Sequence, residues 1–252
     1  MRIMRMKRNG ISQLYASILV NAIFAMVNYP IVLISTILAP FSLLIVITFV
    51  SHGALLPVAI AGALIMTMIS AGTSMQQDLS HLKNDFKLQD MIVSSPATAM
   101  IYLIGMALSE IVYSIPALVV LLILAAIYVH ATLLGAIAMF FVITIMFIFA
   151  VSLGFVLSTL TSDVVQSWAF GGIVSTILSA LPPVYYPITY IPMPWQYLAY
   201  LSPATYAAEI MQNVVGLTNF SSTTILIDWV VIIAVAAAMV YIAVKKAKWR
   251  ED

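Results

Sequence analysis

All ten Lys and Arg residues of this 252-residue chain fall in three short segments, and the stretches between them read as hydrocarbon. The clusters are Arg2, Arg5, Lys7 and Arg8 near the start, Lys83 and Lys87 in one early connection, and Lys245, Lys246, Lys248 and Arg250 near the end. Basic residues that flank membrane spans are retained in the cytoplasm, so this placement predicts that both termini and the connection around residue 85 lie on that side. Composition sets the class: 63% of the residues are hydrophobic and 8% charged, where a soluble domain carries about a quarter charged. The expected fold is an all-α polytopic protein of the plasma membrane, in contact with membrane lipid and not with nucleic acid. The net charge of +1 matters less than its arrangement, because the basic ends suit an anionic inner leaflet.

Six apolar runs approach the roughly 20 residues needed to cross about 30 Å of hydrocarbon. They cover 31–50, 55–75, 97–129, 133–160, 164–181 and 225–244. Ser51, His52 and Gly53 turn the chain between the first two. The third run has 33 residues, more than a perpendicular crossing needs, and Pro116 lies inside it to kink or tilt the helix. Ser162 and Asp163 are candidate N-caps for the fifth, and Trp229 and Trp249 bracket the sixth as interfacial anchors.

One more apolar stretch, Ile11 to Asn28, is long enough to cross. If it crossed, Lys83, Lys87 and the C-terminal cluster would all move outside, against the charge rule. Ile11, Leu14, Tyr15, Ile18, Ala22 and Ala25 recur at helical spacing, with Ser12, Gln13, Ser17 and Asn21 on a weakly polar side. Residues 1–28 are therefore expected to form an interfacial helix along the inner leaflet, leading through Tyr29 and Pro30 into the first span.

Two segments between spans are candidates for function. In residues 76–95, Leu79, Leu82, Phe86 and Val93 lie near one helical face while Asp78, Lys83, Lys87 and Asp90 lie mostly elsewhere. That pattern predicts a short amphipathic helix projecting into the cytoplasm, against the alternative of a solvated loop with accidental periodicity. Residues 182–224 form a long outer segment rich in Pro and Tyr, without a basic residue.

The order of these parts, over the whole length, resembles the type-2 ABC exporter permeases. Met91-Ile92-Val93-Ser94-Ser95-Pro96 is similar to that family's apolar run, small residue and Pro before the third span. Pro187, Pro192, Gln196, Leu201-Ser202-Pro203, Tyr206 and Glu209 are similar to its pattern before the last span. Gln212 stands where a basic residue is often found, and 76–95 carries Asp90 but no Gly.

The resemblance implies a permease dimer, of identical chains or close homologues, driven by two copies of a separate ABC ATPase that binds ATP and Mg. It implies export of an apolar or amphipathic substrate such as a drug, lipid or glycoconjugate. The coupling helix would engage the ATPase through Leu79, Leu82 and Phe86, with Asp78, Lys83, Lys87 and Asp90 as rim charges. The hairpin would form an outer gate from Pro192, Tyr197, Tyr200, Pro203, Tyr206 and Glu209, against the alternative of an ordinary loop with an aromatic belt.

Other residues stand on their own chemistry. Glu110 is the one acid well inside a span, where an ionised carboxylate costs at least about 2.5 kcal/mol, so it should be protonated, paired or facing a wet path. Ser109, Tyr113 and Ser114 are its candidate partners. Asp228 is expected at the outer interface. Gly171, Gly172 and Ser175 offer a small-residue surface that suits a dimer seam or ordinary packing.

Enzymatic and cofactor readings find little support. No Gly-Lys pair exists, so the chain has no Walker A loop to cradle ATP. His52, His81 and His130 fall in connections or at span ends, where they serve neither a buried nucleophile nor an axial haem site. No catalytic or metal-binding residue is assigned. A six-span channel or secondary transporter is the alternative function.

Overall fold

The computed structural model describes residues 10–84, 99–161 and 163–246, and among them the chain is helical, with no strand. Helix α1 (Gly10–Ile18) continues through a π turn (Leu19–Ile23) into α2 (Phe24–Asn28). Then come α3 (Ile31–Val50), α4 (Leu56–Asn84), α5 (Ala99–Tyr128), α6 (Leu133–Leu160) and α7 (Val164–Ala180). A 3₁₀ turn (Ile188–Tyr190), α8 (Gln196–Ala199) and α9 (Pro203–Val214) form the hairpin segment before α10 (Ser222–Lys246). Among the described residues, five stretches are long and apolar enough to cross a membrane: Gly10–Asn28, Leu56–His81, Ile101–Tyr128, Leu133–Leu160 and Ser222–Lys246.

Helix α4 occupies the centre. Its residues from Val58 to Ile69 are buried without a break, and it packs against α3, α5, α6, α7 and α9. A helix that is apolar on every side must be enclosed by protein or lipid, and here its neighbours enclose it. The tightest crossing is with α6. A Cβ on Gly72 would overlap the carbonyl of Ala150, and one on Gly154 would overlap the carbonyl of Gly72. Small residues four apart bring two backbones into direct contact, which replaces hydrophobic driving force in a membrane by close packing.

Several helix starts are capped by side chains. Thr132 accepts from the Gly135 amide at 3.1 Å, and Asp163 accepts from the Gln166 amide at 2.7 Å. Pro203 opens α9 behind Ser202, whose hydroxyl accepts from the Ala204 amide at 3.3 Å. The turn from α3 to α4 places His52 and Gly53 at φ 50° and 84°, the second being the residue that adopts this region without steric cost.

The structure redraws two expected features. Residues 76–84 are not a separate helix, because α4 passes through them unbroken. Gln76, Asp78 and Ser80 looked like the start of a polar connection, but neighbouring helices meet them and the helix goes on. In α1, the weakly polar side expected toward headgroups turns to α5. Ser17 lies against Gly105, its carbonyl accepts from Ser109 at 3.5 Å, and Asn21 bonds back to Ser17 at 3.1 Å. Ile11, Tyr15, Val20, Phe24 and Val27 are the exposed ones.

Gly72→Val and Gly154→Val should each force α4 and α6 apart and cost about 1–3 kcal/mol or more. Gly172→Ala, with nothing within 4 Å of the added carbon, should leave stability nearly unchanged. Thermal unfolding of the purified variants in one detergent checks both.

Candidate functional site

Two polar clusters sit at opposite ends of α4. The first gathers around its last turns. Gln76 is fully buried, and its Nε2 donates to the Ser167 carbonyl at 2.8 Å and hydroxyl at 3.2 Å. Gly171, one turn beyond Ser167 on α7, leaves room for that amide: a Cβ there would lie 3.1 Å from Gln76 Oε1. On another side of α4, Asp78 shares a side-chain hydrogen bond with Glu110 of α5. A hydrogen bond between two carboxyl groups needs a proton on one of them. Glu110 is 2% exposed and its Oε1 has no partner. Its expected neighbours bond elsewhere: Ser114 donates to the Glu110 carbonyl at 2.9 Å and Ser109 to that of Gly105 at 2.9 Å.

The second cluster is built by the hairpin. Gly62 of α4 admits the backbone of Val184, whose carbonyl would overlap any Cβ at that position. Pro182, Pro183, Val184, Tyr185, Pro187 and Ile188 are all buried there. Gln212 of α9 donates its Nε2 to the carbonyls of Pro183 and Tyr186, both at 2.9 Å, and so ties irregular chain to a helix. Thr205 donates to the Ala199 carbonyl and closes α8 onto α9.

Within this frame the Tyr200 hydroxyl donates to Glu209 Oε1 at 2.8 Å, and the Tyr200 and Tyr206 rings meet at 5.5 Å. Glu209 is 1% exposed, and burial raises its pKa against the opposing pull of the Tyr200 bond. Tyr200 is raised as well, by burial and then by the adjoining acid. Asp228 of α10 lies close enough to feel the charge of Glu209. It is also 1% exposed, and its Oδ2 has no partner.

The predicted site residues therefore divide. Tyr200, Pro203, Tyr206 and Glu209 come together, whereas Pro192 and Tyr197 are exposed and outside the cluster. Asp228, expected at the outer interface, is buried beside Glu209 of α9. Leu79 is buried with Met75 and Met106 and is not a free docking anchor, and Asp78 is turned to α5. Gly171 faces α4 inside the chain, while Gly172 is exposed and Ser175 half-buried. Phe86, Lys87 and Asp90 lie outside the described residues, as do the side chains of Leu82 and Lys83. Gln212 carried no functional assignment, although a neutral residue at an often basic position was its signal. Among the described residues no group of three or more His, Asp or Glu could hold a metal.

Between the ordinary value of 4.5 and its raised value, Glu209 keeps a proton in the folded chain that the unfolded chain has lost. Its contribution to stability is thus complete below pH 4.5 and falls as pH rises through the folded value. Glu209→Gln keeps an acceptor for Tyr200 and should flatten that slope in unfolding midpoints recorded from pH 4 to 9. Gln212→Ala leaves two carbonyls without their donor and should cost about 1–3 kcal/mol in the same assay.

A family model for ABC-2 type transporters matches residues 2–215, which takes in α1 to α9 and every member of both clusters except Asp228. A search of the curated proteins returns no match. With most of its length matched, the chain belongs to the ABC-2 type transporter family and is the membrane permease subunit of an ABC transporter, the part that transports and not the part that catalyses.

Proposed function

We propose that this permease exports an apolar or amphipathic substrate, a drug, lipid or glycoconjugate, through a dimer driven by two copies of a separate ABC ATPase. ATP and Mg belong to that partner. Both termini and the connection after α4 face the cytoplasm, residues 1–28 lie along the inner leaflet, and the hairpin closes the outer side. The charge distribution supports this orientation, since all ten basic residues then lie on one side.

The observation that carries the reading is the continuity of α4. From Gly62, where it meets the hairpin, the helix continues unbroken to Asn84, about 33 Å at 1.5 Å per residue, and leads into the coupling connection. An ATPase that grips the coupling segment pulls on a rod whose other end holds the gate. Phe86 is the anchor that enters the ATPase groove, with Leu82 beside it and Lys83, Lys87 and Asp90 at the rim. Leu79 and Asp78 transmit the load by their packing on α5. Tyr200, Tyr206 and Glu209 hold the gate, and the exposed face of α7 around Gly172 meets the second permease.

Phe86→Asp should reduce co-purification with the ATPase by at least about tenfold, as loss of a buried anchor does. ATP turnover stimulated by a panel of lipids and drugs should fall with it. Unchanged complex yield and turnover would remove the coupling assignment. The chain has no Cys, so a single Asp85→Cys variant gives a clean label. It should react with an impermeant maleimide only after cells are opened, and reaction in intact cells would reverse the orientation.

A further inference from the structure

Helices α6 and α10 run in the same direction, both starting beside α9, where Gly135 meets Val214 and Asp228 meets Glu209. Between them a groove of about 390 Å³ opens on the outside of the bundle. Its walls are Ile145 and Ile148 of α6 and Ile233, Ala237, Val240 and Tyr241 of α10. Ala236 and Ala237 leave no side chain long enough to fill it, and Ile148 and Ile233 are exposed along its edges. On α10 the groove extends over about 12 Å of helix, from Ile233 to Tyr241. Lys245 follows Tyr241 by four residues, so it stands one turn further along the same face, and Lys246 is beside it. Both lysines are exposed.

An apolar groove that leads to a phenol and two ammonium groups matches the chemistry of an anionic glycerophospholipid. We propose that the groove holds one acyl chain of such a lipid, with its phosphate against Lys245 and Lys246. The small side chains at 236 and 237 let the acyl chain sink between the helices. Tyr241 lies at the level of the ester linkages, where an amphipathic ring is at home. The two lysines then select anionic over zwitterionic headgroups, because each basic residue near the surface adds to the attraction. The lipid is a bound component of the permease and not its cargo, so the proposal stands whatever the transported substrate is.

Native mass spectrometry of the full chain in detergent, titrated with phosphatidylglycerol or phosphatidylcholine, tests this. The wild type should retain one phosphatidylglycerol with a preference on the order of tenfold or more over phosphatidylcholine. Lys245→Gln with Lys246→Gln should abolish the preference. Ala237→Trp and, from the opposite wall, Ile148→Trp should fill the groove and lose the retained lipid, with unfolding midpoints confirming that each variant folds. Equal retention of the two lipids by the wild type overturns the proposal. So does undiminished phosphatidylglycerol binding by a folded groove variant, which would reduce the effect to charge attraction at the helix end.

Discussion

The contact of backbone on backbone where α4 crosses α6 is the constraint from which the rest of the bundle follows. Helices in lipid gain nothing from hiding apolar side chains from water, so association depends on packing and on the few polar bonds available. Gly72, Ala150 and Gly154 let the two backbones touch, with nothing larger than the Ala150 methyl at the contact. Once α4 is held so closely on one side, it becomes the element that the other helices surround. Its buried run from Val58 to Ile69 is the outcome.

Buried polar side chains need partners, and two of them in the last turns of α4 find theirs on different neighbours. Gln76 is met by the carbonyl and hydroxyl of Ser167, a neutral pairing that α7 offers because Gly171 gives it room. Asp78 meets another acid, Glu110, across the contact of α4 with α5. The first arrangement fixes the position of α7 on α4. The second ties α4 to α5 near the C-terminal end of α4.

These relations were only partly visible in the sequence. Apolar runs of membrane length announce helices, and Asp163 announces the start of α7, because length and capping are local properties. Facing is not local when a helix is apolar all round. Gly171 and Gly172 are adjacent and chemically identical, yet one meets Gln76 and the other meets open space. Asp228 sits six residues into α10, a place that suits an interface, and only the position of α9 makes it a buried neighbour of Glu209. The end of α4 is hidden from the sequence for a related reason. Gln76, Asp78 and Ser80 carry the polarity of a connection, and nothing in the chain nearby reveals that α5 and α7 will satisfy them.

The hairpin shows how such non-local satisfaction works where the backbone is irregular. Residues 181–187 form no helix, so their carbonyls lack the partners that a helix provides automatically. At membrane depth such backbone is tolerated only where protein covers it and supplies donors. Gly62 meets the first condition by letting the chain at Val184 lie directly on α4. Gln212 meets the second by giving both amide hydrogens to Pro183 and Tyr186. A lysine or arginine at 212 would also donate, but it would bring a charge into a site already holding Glu209 and Asp228. A neutral donor serves the two carbonyls and leaves the Glu209 carboxyl to the Tyr200 hydroxyl.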